Sequence, residues 1–258
     1  CADGMNAVDW ALANYPVEIK TIGIMGYAGD YGGDYAAGVK AAAEANGLTV
    51  AWEYVVPSPE FDVAQAVGLM VTEPVDAYFP AVGPGHMAQV AGGAFQQGLT
   101  PAAMMAAPSY NDAFIAEGFA LAPLFQSGSM YLMAFVAPYE ADTAGHAVMR
   151  ATLTAMGIDS GNLFITAGWA SQHHIRGVLE AANKGGDLTR AGIRRAAANV
   201  YVDSDGMMPT RELGQNRADA ESFVGIPDAN SASGIKLLAG NYVGPSAAGY
   251  DWEAGPCS

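Results

Sequence analysis

Basic residues are scarce in this chain. Lys and Arg together number 11 among 258 residues, against 26 Asp and Glu, so the formal net charge is −15. A surface of this sign repels phosphate backbones and anionic membrane surfaces, which excludes nucleic acid as an expected partner. We interpret the acidity as a means of staying in solution outside the cytosol.

Cysteine is almost absent, since only Cys1 and Cys257 occur. They cannot form a zinc site with CxxC spacing, and they allow at most one internal disulfide. The start at Cys1 has three interpretations: the modified first residue of a lipoprotein, an N-terminal nucleophile, or the boundary of a fragment. Residues 5–12 have the apolar spacing of a helix rather than of a flexible tether or a strand, which favours the boundary.

Long hydrophobic runs and familiar catalytic motifs are also missing. Residues 118–125 form one of the longest apolar runs, far below the roughly 20 residues that cross a bilayer. The sequence has no G-x-S-x-G elbow, no H-E-x-x-H pair and no P-loop. His173 and His174 are adjacent, so on a helix they point about 100° apart and cannot share a metal ion in the usual way. The sequence therefore predicts no cofactor and no metal, and it favours a protein that is not an enzyme.

What the chain does contain is an alternation of short apolar runs with helical patterns. Thr21–Tyr27 begins the series, and an apolar periodicity over residues 34–46 ends at Gly47, a common helix stop. The series predicts a parallel sheet covered on both faces by helices. The predicted strands are 21–27, 48–56, 75–81, 102–107 and 119–125, and the predicted helices between them are 34–46, 61–71, 84–97 and 111–117.

The pattern changes after Pro138. Helices are predicted at 140–156, about 164–183 and 188–199, with little strand between them. Ile175, Val178, Leu179 and Ala182 form an apolar stripe that needs a surface to pack on. The tail from Val202 onward is rich in Gly, Pro, Asn, Asp and Ser, and it contains one predicted strand at 235–239.

Three stretches together resemble a known family. TIGIMGYAGDYGGDYAAGVKAAAEANGLTV resembles the opening of the second lobe of branched-chain amino-acid and amide receptors. VDAYFPAVGPGHMAQVAGGAFQQGL resembles the next strand, small-residue turn and helix, and GWASQHHIRGVLEAANKGGDLTRAGIRRAAANV resembles the family's G-W helix followed by an L-T-R helix. The order and spacing of these stretches identify the chain as similar to type I periplasmic solute-binding proteins of ABC importers.

The resemblance implies an α/β fold, namely the parallel-sheet lobe of a two-lobed clamshell plus helices that belong to the other lobe. Residues 1–138 are then the second lobe with its crossover, 139–202 are helices of the first lobe, and 203–258 are an irregular tail with a return strand. Family members carry the sheet of the first lobe ahead of the strand at 21–27. We therefore expect a missing N-terminal segment, or a companion chain, to cover the later helices.

Ligand contacts are predicted where parallel strands end, because loops and helix N-termini converge there. Tyrosine and phenylalanine rings with a few hydroxyl groups suit a small, partly apolar solute. Tyr31 and Phe164 are also the positions where the resembled family places an aromatic wall against its ligand. The predicted ligand-binding residues are Tyr27, Asp30, Tyr31, Gly83, Pro84, Ser109, Tyr110, Asn111 and Phe164.

The expected function is binding of an amino acid, amide or similar solute and its delivery to the membrane permease of an ABC transporter. The expected location is the periplasm or the cell exterior, with a lipid tether on the full-length protein as one form. Two alternatives stay open: a ligand-sensing receptor domain of the same fold, and a hydrolytic α/β enzyme whose acid/base pair the sequence does not reveal.

Overall fold

The computed structural model describes residues 1–198, 200–209, 211–212, 220–252 and 257, and the side chains of all these except residues 30, 211 and 212. Its strands are β1 (Thr21–Tyr27), β2 (Thr49–Val56), β3 (Ala77–Ala81), β4 (Ala102–Ala106), β5 (Met130–Ala134), β6 (Tyr201–Val202), β7 (Arg211–Glu212), β8 (Ser222–Pro227) and β9 (Ile235–Tyr242). Its helices are α1 (Ala2–Asn14), α2 (Asp30–Ala45), α3 (Val63–Thr72), α4 (Pro84–Gln96), α5 (Ala122–Phe125), α6 (Ala144–Ala155), α7 (Leu163–Lys184), α8 (Arg190–Ala197) and α9 (Pro245–Gly249).

The main sheet has the strand order β2-β1-β3-β4-β5-β8-β9. Strands β1 to β5 run parallel to their neighbours, and β8 and β9 join them antiparallel. The predicted parallel sheet with helical crossovers is confirmed. Strands β6 and β7 form a separate antiparallel pair.

The sheet is buried on both faces because its strands alternate between two apolar cores. In β4, Met104 packs in the core beneath α1 and α2, whereas Met105 packs in the core beneath α3 and α4. The same alternation separates Phe79 from Tyr78 in β3. A strand buried on both faces is apolar at every position, which is why these strands read as continuous runs rather than alternating ones.

The predicted strand at 119–125 is wrong. Residues 122–125 form the short helix α5, and the fifth parallel strand is instead β5 at Met130–Ala134. Pro123 lies in the first turn of α5, where its fixed φ and missing N–H are tolerated. The helix predicted at 111–117 is likewise only a short 3₁₀ turn, Asp112–Ile115.

The chain after residue 202 contributes more strand than the sequence indicates. Strand β8 is buried along most of its length and pairs with β5, and β9 extends to Tyr242 rather than ending near 239. This part of the chain therefore completes the sheet of the first 138 residues. The division into lobes at 138 and 202 stays a prediction.

Helix α1 fastens this returning segment through a polar stripe. Asp3, Asn6 and Asp9 are spaced three residues apart and share one helix face. The Asp3 carboxylate accepts a hydrogen bond from Ser222 Oγ at 2.6 Å. The Asp9 carboxylate accepts from the backbone N–H and the hydroxyl of Ser246, both at 2.7 Å. These side chains join the beginning of the chain to β8 and α9.

A disulfide between Cys1 and Cys257 joins the same two regions. It is the one internal disulfide that the sequence allows. Within the described residues, no helix combines the length and the apolar character needed to cross a membrane.

Candidate functional site

A cleft of about 220 Å³ lies at the carboxyl ends of β1, β3 and β4. Because parallel strands present their carboxyl ends at one edge, loops that are far apart in sequence meet there. Its lining is formed by small residues and tyrosine rings: Tyr27, Ala28, Gly29, Tyr31, Gly32, Ala81, Val82, Gly83 and Pro108. The structure thus brings Tyr27, Tyr31 and Gly83, three of the predicted site residues, to one cleft.

Two glycines allow the loops to approach this closely. A Cβ atom on Gly32 would lie 2.1 Å from the carbonyl oxygen of Tyr27, so no side chain fits where α2 begins beside the end of β1. A Cβ atom on Gly83 would lie 3.1 Å from the Tyr27 hydroxyl. Tyr27 therefore places its hydroxyl against the loop that follows β3.

Tyr31 forms one wall of the cleft with its ring. The residue exposes 38% of its surface, yet burial of its hydroxyl raises the pKa well above the usual range, and the charge of Asp3 raises it further. The hydroxyl is hydrogen-bonded to the Asp3 carboxylate and to the backbone N–H of Ala107. The polar end is therefore held inside the protein, and the residue lines the cleft.

Tyr31 also borders a second, larger cavity of about 490 Å³. Asp34 lines it on one side, and Phe135 and Met208, which follow β5 and β6, line it on the other. Tyr31 therefore lines both concave surfaces.

Three predicted residues after β4 have other partners in the structure. The Ser109 hydroxyl is fully buried, donates to the carbonyl oxygen of Pro80 at 3.1 Å and accepts from Val82 N–H at 3.0 Å. Tyr110 is buried and donates its hydroxyl to the carbonyl oxygen of Gly234 at 2.6 Å. Asn111 caps the 3₁₀ turn by accepting from Ala113 N–H at 2.9 Å. These contacts give all three side chains structural tasks, and their contact with a ligand stays a prediction.

The remaining predicted residues lie at the rim or away from the cleft. Pro84 is the first residue of α4, directly after Gly83. Asp30 begins α2, and its side chain is outside the described residues. Phe164 is the second residue of α7, is 47% exposed and does not line the cleft. An aromatic wall at Phe164 therefore stays a prediction that needs a closed, two-lobed form.

Sequence reasoning missed a histidine beside the cleft. His86 Nδ1 lies 2.6 Å from the Tyr27 hydroxyl, and its ring stacks on Phe61 with centroids 4.8 Å apart. Its position in the first turn of α4, three residues after Gly83, is the signal that could have identified it.

A third concave surface lies away from this edge, between α6 and α7. This groove of about 550 Å³ is bordered by Val148 and Trp169 and by the stripe residues Ile175 and Leu179. Ile175 and Leu179 are 52% and 43% exposed, although Ala182 on the same helix is buried. The apolar stripe predicted from the sequence is thus only partly covered.

Comparisons with known proteins agree on one family and fold. A family model described as periplasmic binding protein matches residues 2–225. Among solved structures, a fatty acid ABC transporter substrate-binding protein from Thermomonospora curvata superposes with a TM-score of 0.84 at 24% identity, covering 96% of this chain and 64% of that one. An ABC transporter substrate-binding protein from Aeropyrum pernix gives 0.71 at 14% identity, covering 96% and 66%.

A branched-chain amino acid ABC transporter protein from Thermus thermophilus with bound valine gives a TM-score of 0.68 at 14% identity, covering 95% of this chain and 66% of that one. The chain therefore spans about two thirds of the length of these proteins. A search of curated proteins gives no match. The mixed α/β architecture with its mostly parallel sheet is that of the type I fold of periplasmic binding proteins.

Proposed function

This chain belongs to the periplasmic binding protein family, and from that premise we propose that it binds a small, partly apolar solute between two lobes and passes it to the membrane permease of an ABC transporter. The observation that carries the proposal is the cleft at the carboxyl ends of β1, β3 and β4, where Tyr31 offers its ring while its hydroxyl is anchored. A concave, mainly apolar surface with few polar groups is the usual character of a small-molecule site.

The lining of the cleft favours a solute with an apolar body. Of the three groups that could serve an amino acid at this edge, Ser109, Tyr31 and Asp30, the hydroxyls of Ser109 and Tyr31 are bonded within the protein, and the Asp30 side chain lies outside the described residues. A fatty acid, the solute class for which the Thermomonospora curvata protein is named, is the first candidate because the described lining is mainly apolar, and an amino acid is the second.

The disulfide between Cys1 and Cys257 supports a location in the periplasm or outside the cell. Disulfides form and persist in oxidising compartments, and they are rare in the reducing cytosol. The acidic net charge is consistent with such a location.

The binding proposal is tested by replacing Tyr31 with alanine and with phenylalanine. Calorimetry on the protein expressed from its complete reading frame would use decanoate, palmitate, valine, leucine and their amides, with a parallel assay for turnover. We expect Tyr31→Ala to weaken binding by about 1–3 kcal/mol, because the aromatic wall is lost. Tyr31→Phe keeps the ring and is expected to bind within about twofold of the original protein. Unchanged affinity in a folded Tyr31→Ala variant would contradict the role, and product formation would favour an enzyme.

We further propose that polypeptide beyond this chain covers the stripe on α7. Exposed apolar side chains are ordinary when they occur singly, but Ile175, Leu179 and Val148 border one groove and form a continuous surface. The length of the related structures leaves room for another lobe, since the chain covers 64% of the Thermomonospora curvata protein.

Truncating one stripe residue tests this second proposal. In the isolated chain, Leu179→Ala is expected to change the free energy of unfolding by less than about 0.5 kcal/mol, because Leu179 is already partly exposed. In the protein from the complete reading frame, the same change is expected to cost about 1–2 kcal/mol, because a covered leucine is lost. Val71→Ala on α3, also exposed, is the control and should be neutral in both. Equal effects of Leu179→Ala in the two forms would show that nothing covers the stripe.

A further inference from the structure

The contact between Tyr27 and His86 joins two elements at the rim of the cleft. Tyr27 is the last residue of β1 and His86 is in the first turn of α4, so their hydrogen bond of 2.6 Å crosses from one strand end to the next. Phe61 supports both rings: it stacks on His86 and meets Tyr27 edge-to-face with centroids 5.7 Å apart. The imidazole is therefore fixed in orientation by an aromatic neighbour as well as by the hydroxyl.

Among the described side chains that line the cleft, the Tyr27 hydroxyl is the polar group best placed to hydrogen-bond a ligand. Among lining residues whose side chains are described, only the two tyrosines carry a polar side-chain atom. The Tyr31 hydroxyl is bonded to Asp3 and to Ala107 N–H. The Tyr27 hydroxyl has His86 as its protein partner and lies against Gly83, at the wall of the cleft.

A phenol hydroxyl has one proton and two lone pairs, and one partner leaves it able to make a further hydrogen bond. Without a fixed partner, the hydroxyl proton is free to rotate. The contact with His86 Nδ1 occupies one hydrogen-bonding direction of the Tyr27 hydroxyl and so fixes its orientation. The remaining hydrogen-bonding capacity of the hydroxyl is left for a ligand. Because both residues are only partly buried, water could satisfy the hydroxyl equally well, so burial alone does not require a histidine there.

We propose that His86 is a positioning residue: it orients the Tyr27 hydroxyl so that this group hydrogen-bonds the polar end of the solute. The inference rests on the proposed binding function and adds a group that sets affinity and specificity at that cleft. Tyr27 makes the contact, and His86 acts through it.

Two substitutions of His86 separate the hydrogen bond from the ring stacking. His86→Phe keeps a ring on Phe61 but removes the partner of Tyr27. His86→Asn places an amide near the former Nδ1 position but removes the stacked ring. Calorimetry with decanoate and valine on the protein from its complete reading frame is expected to show binding about 3- to 10-fold weaker for His86→Phe and within about twofold of the original for His86→Asn.

A double-mutant cycle with Tyr27→Phe completes the test. If His86 acts through Tyr27, the double variant Tyr27→Phe/His86→Phe binds no more weakly than Tyr27→Phe alone. Gln89→Ala, an exposed change on the same helix, is the control and should bind as the original protein does. Unchanged affinity in His86→Phe, equal weakening by His86→Asn, or multiplied losses in the double variant would each overturn the inference. Failure of the original protein to bind either probe would instead overturn the proposed function, and the inference with it.

Discussion

Asn6→Ala is expected to lower the free energy of unfolding by about 2–4 kcal/mol, because several buried groups lose their partners at once. Asn6 is fully buried on α1. Its Nδ2 atom donates to the carbonyl oxygen of Ala220 at 2.6 Å and lies 2.9 Å from Ser222 Oγ and 3.2 Å from the carbonyl oxygen of Tyr242. Its Oδ1 atom accepts from Gly244 N–H at 2.8 Å. Alanine satisfies none of these groups, and water cannot readily replace the amide in a buried site.

Asn14 supplies the matched control for this change. It lies at the end of the same helix, is exposed, and donates its amide to the carbonyl oxygen of Trp10 at 3.0 Å. Asn14→Ala is expected to change stability by less than about 0.5 kcal/mol. The measurement is urea unfolding followed by fluorescence and circular dichroism, with equal slopes required for the comparison. If Asn6→Ala is as mild as Asn14→Ala, the hydrogen bonds of Asn6 do not hold the segment after residue 220.

The parallel part of the fold was predictable because a strand that is buried on both faces appears in the sequence as a continuous apolar run. Apart from Thr21, the runs that form β1 and β3 contain only apolar residues and glycine, and each is followed by a glycine-containing turn and a helical pattern. The partner strands β8 and β9 gave weaker signals. β8 begins with Ser222 and lies in a tail rich in turn-forming residues, and in β9 five of the eight residues are exposed. β8 owes its place to pairing with β5, which is distant in sequence, and β9 joins the sheet only through β8; local pattern does not report such pairing.

The edge that carries the cleft was predictable, whereas the tasks of individual side chains were not. The rule that parallel strands end at one edge placed Tyr27, Tyr31 and Gly83 together. It could not distinguish Tyr31, whose ring faces the cleft, from Ser109, whose hydroxyl ties the end of β3 to the loop after β4. That difference depends on distances across the sheet. The same limit applies to His86: its position three residues after Gly83 indicates that it lies near the cleft, but its contact with Tyr27 depends on distances across the sheet.

The polar stripe of α1 explains why the first helix and the last strands form one unit. A helix with Asp3, Asn6 and Asp9 on one face would normally turn that face to solvent. Here Asn6 and Asp9 are buried because β8 and α9 supply hydroxyl and N–H partners. The antiparallel strands β8 and β9 are therefore held in the sheet by contacts with α1. Changes that weaken the contacts of α1 with β8 and α9 are expected to destabilise the whole sheet.

Removal of the disulfide is expected to have an effect of similar or larger size, because Cys1 and Cys257 are 256 residues apart in sequence. In the chain-entropy description, a cross-link that closes so long a loop restricts the unfolded chain strongly, and native disulfides of this kind contribute about 2–5 kcal/mol. The double variant Cys1→Ser/Cys257→Ser leaves no free thiol and avoids mispairing. We expect its urea midpoint to fall while the fold at 25 °C is kept, since the stripe of α1 still holds β8 and α9.

Reduction of the original protein provides the matching measurement. Cys257 is buried, so dithiothreitol should act slowly under native conditions and quickly in urea. Once reduced, the original protein should unfold at the midpoint of the double variant. Combining the double variant with Asn6→Ala then tests whether the disulfide and the Asn6 hydrogen bonds stabilise the same segment. If they do, the losses in free energy of unfolding caused by the two changes are expected to depart from additivity by more than about 0.5 kcal/mol. Simple addition would show that the disulfide and the Asn6 contacts stabilise separate parts of the structure.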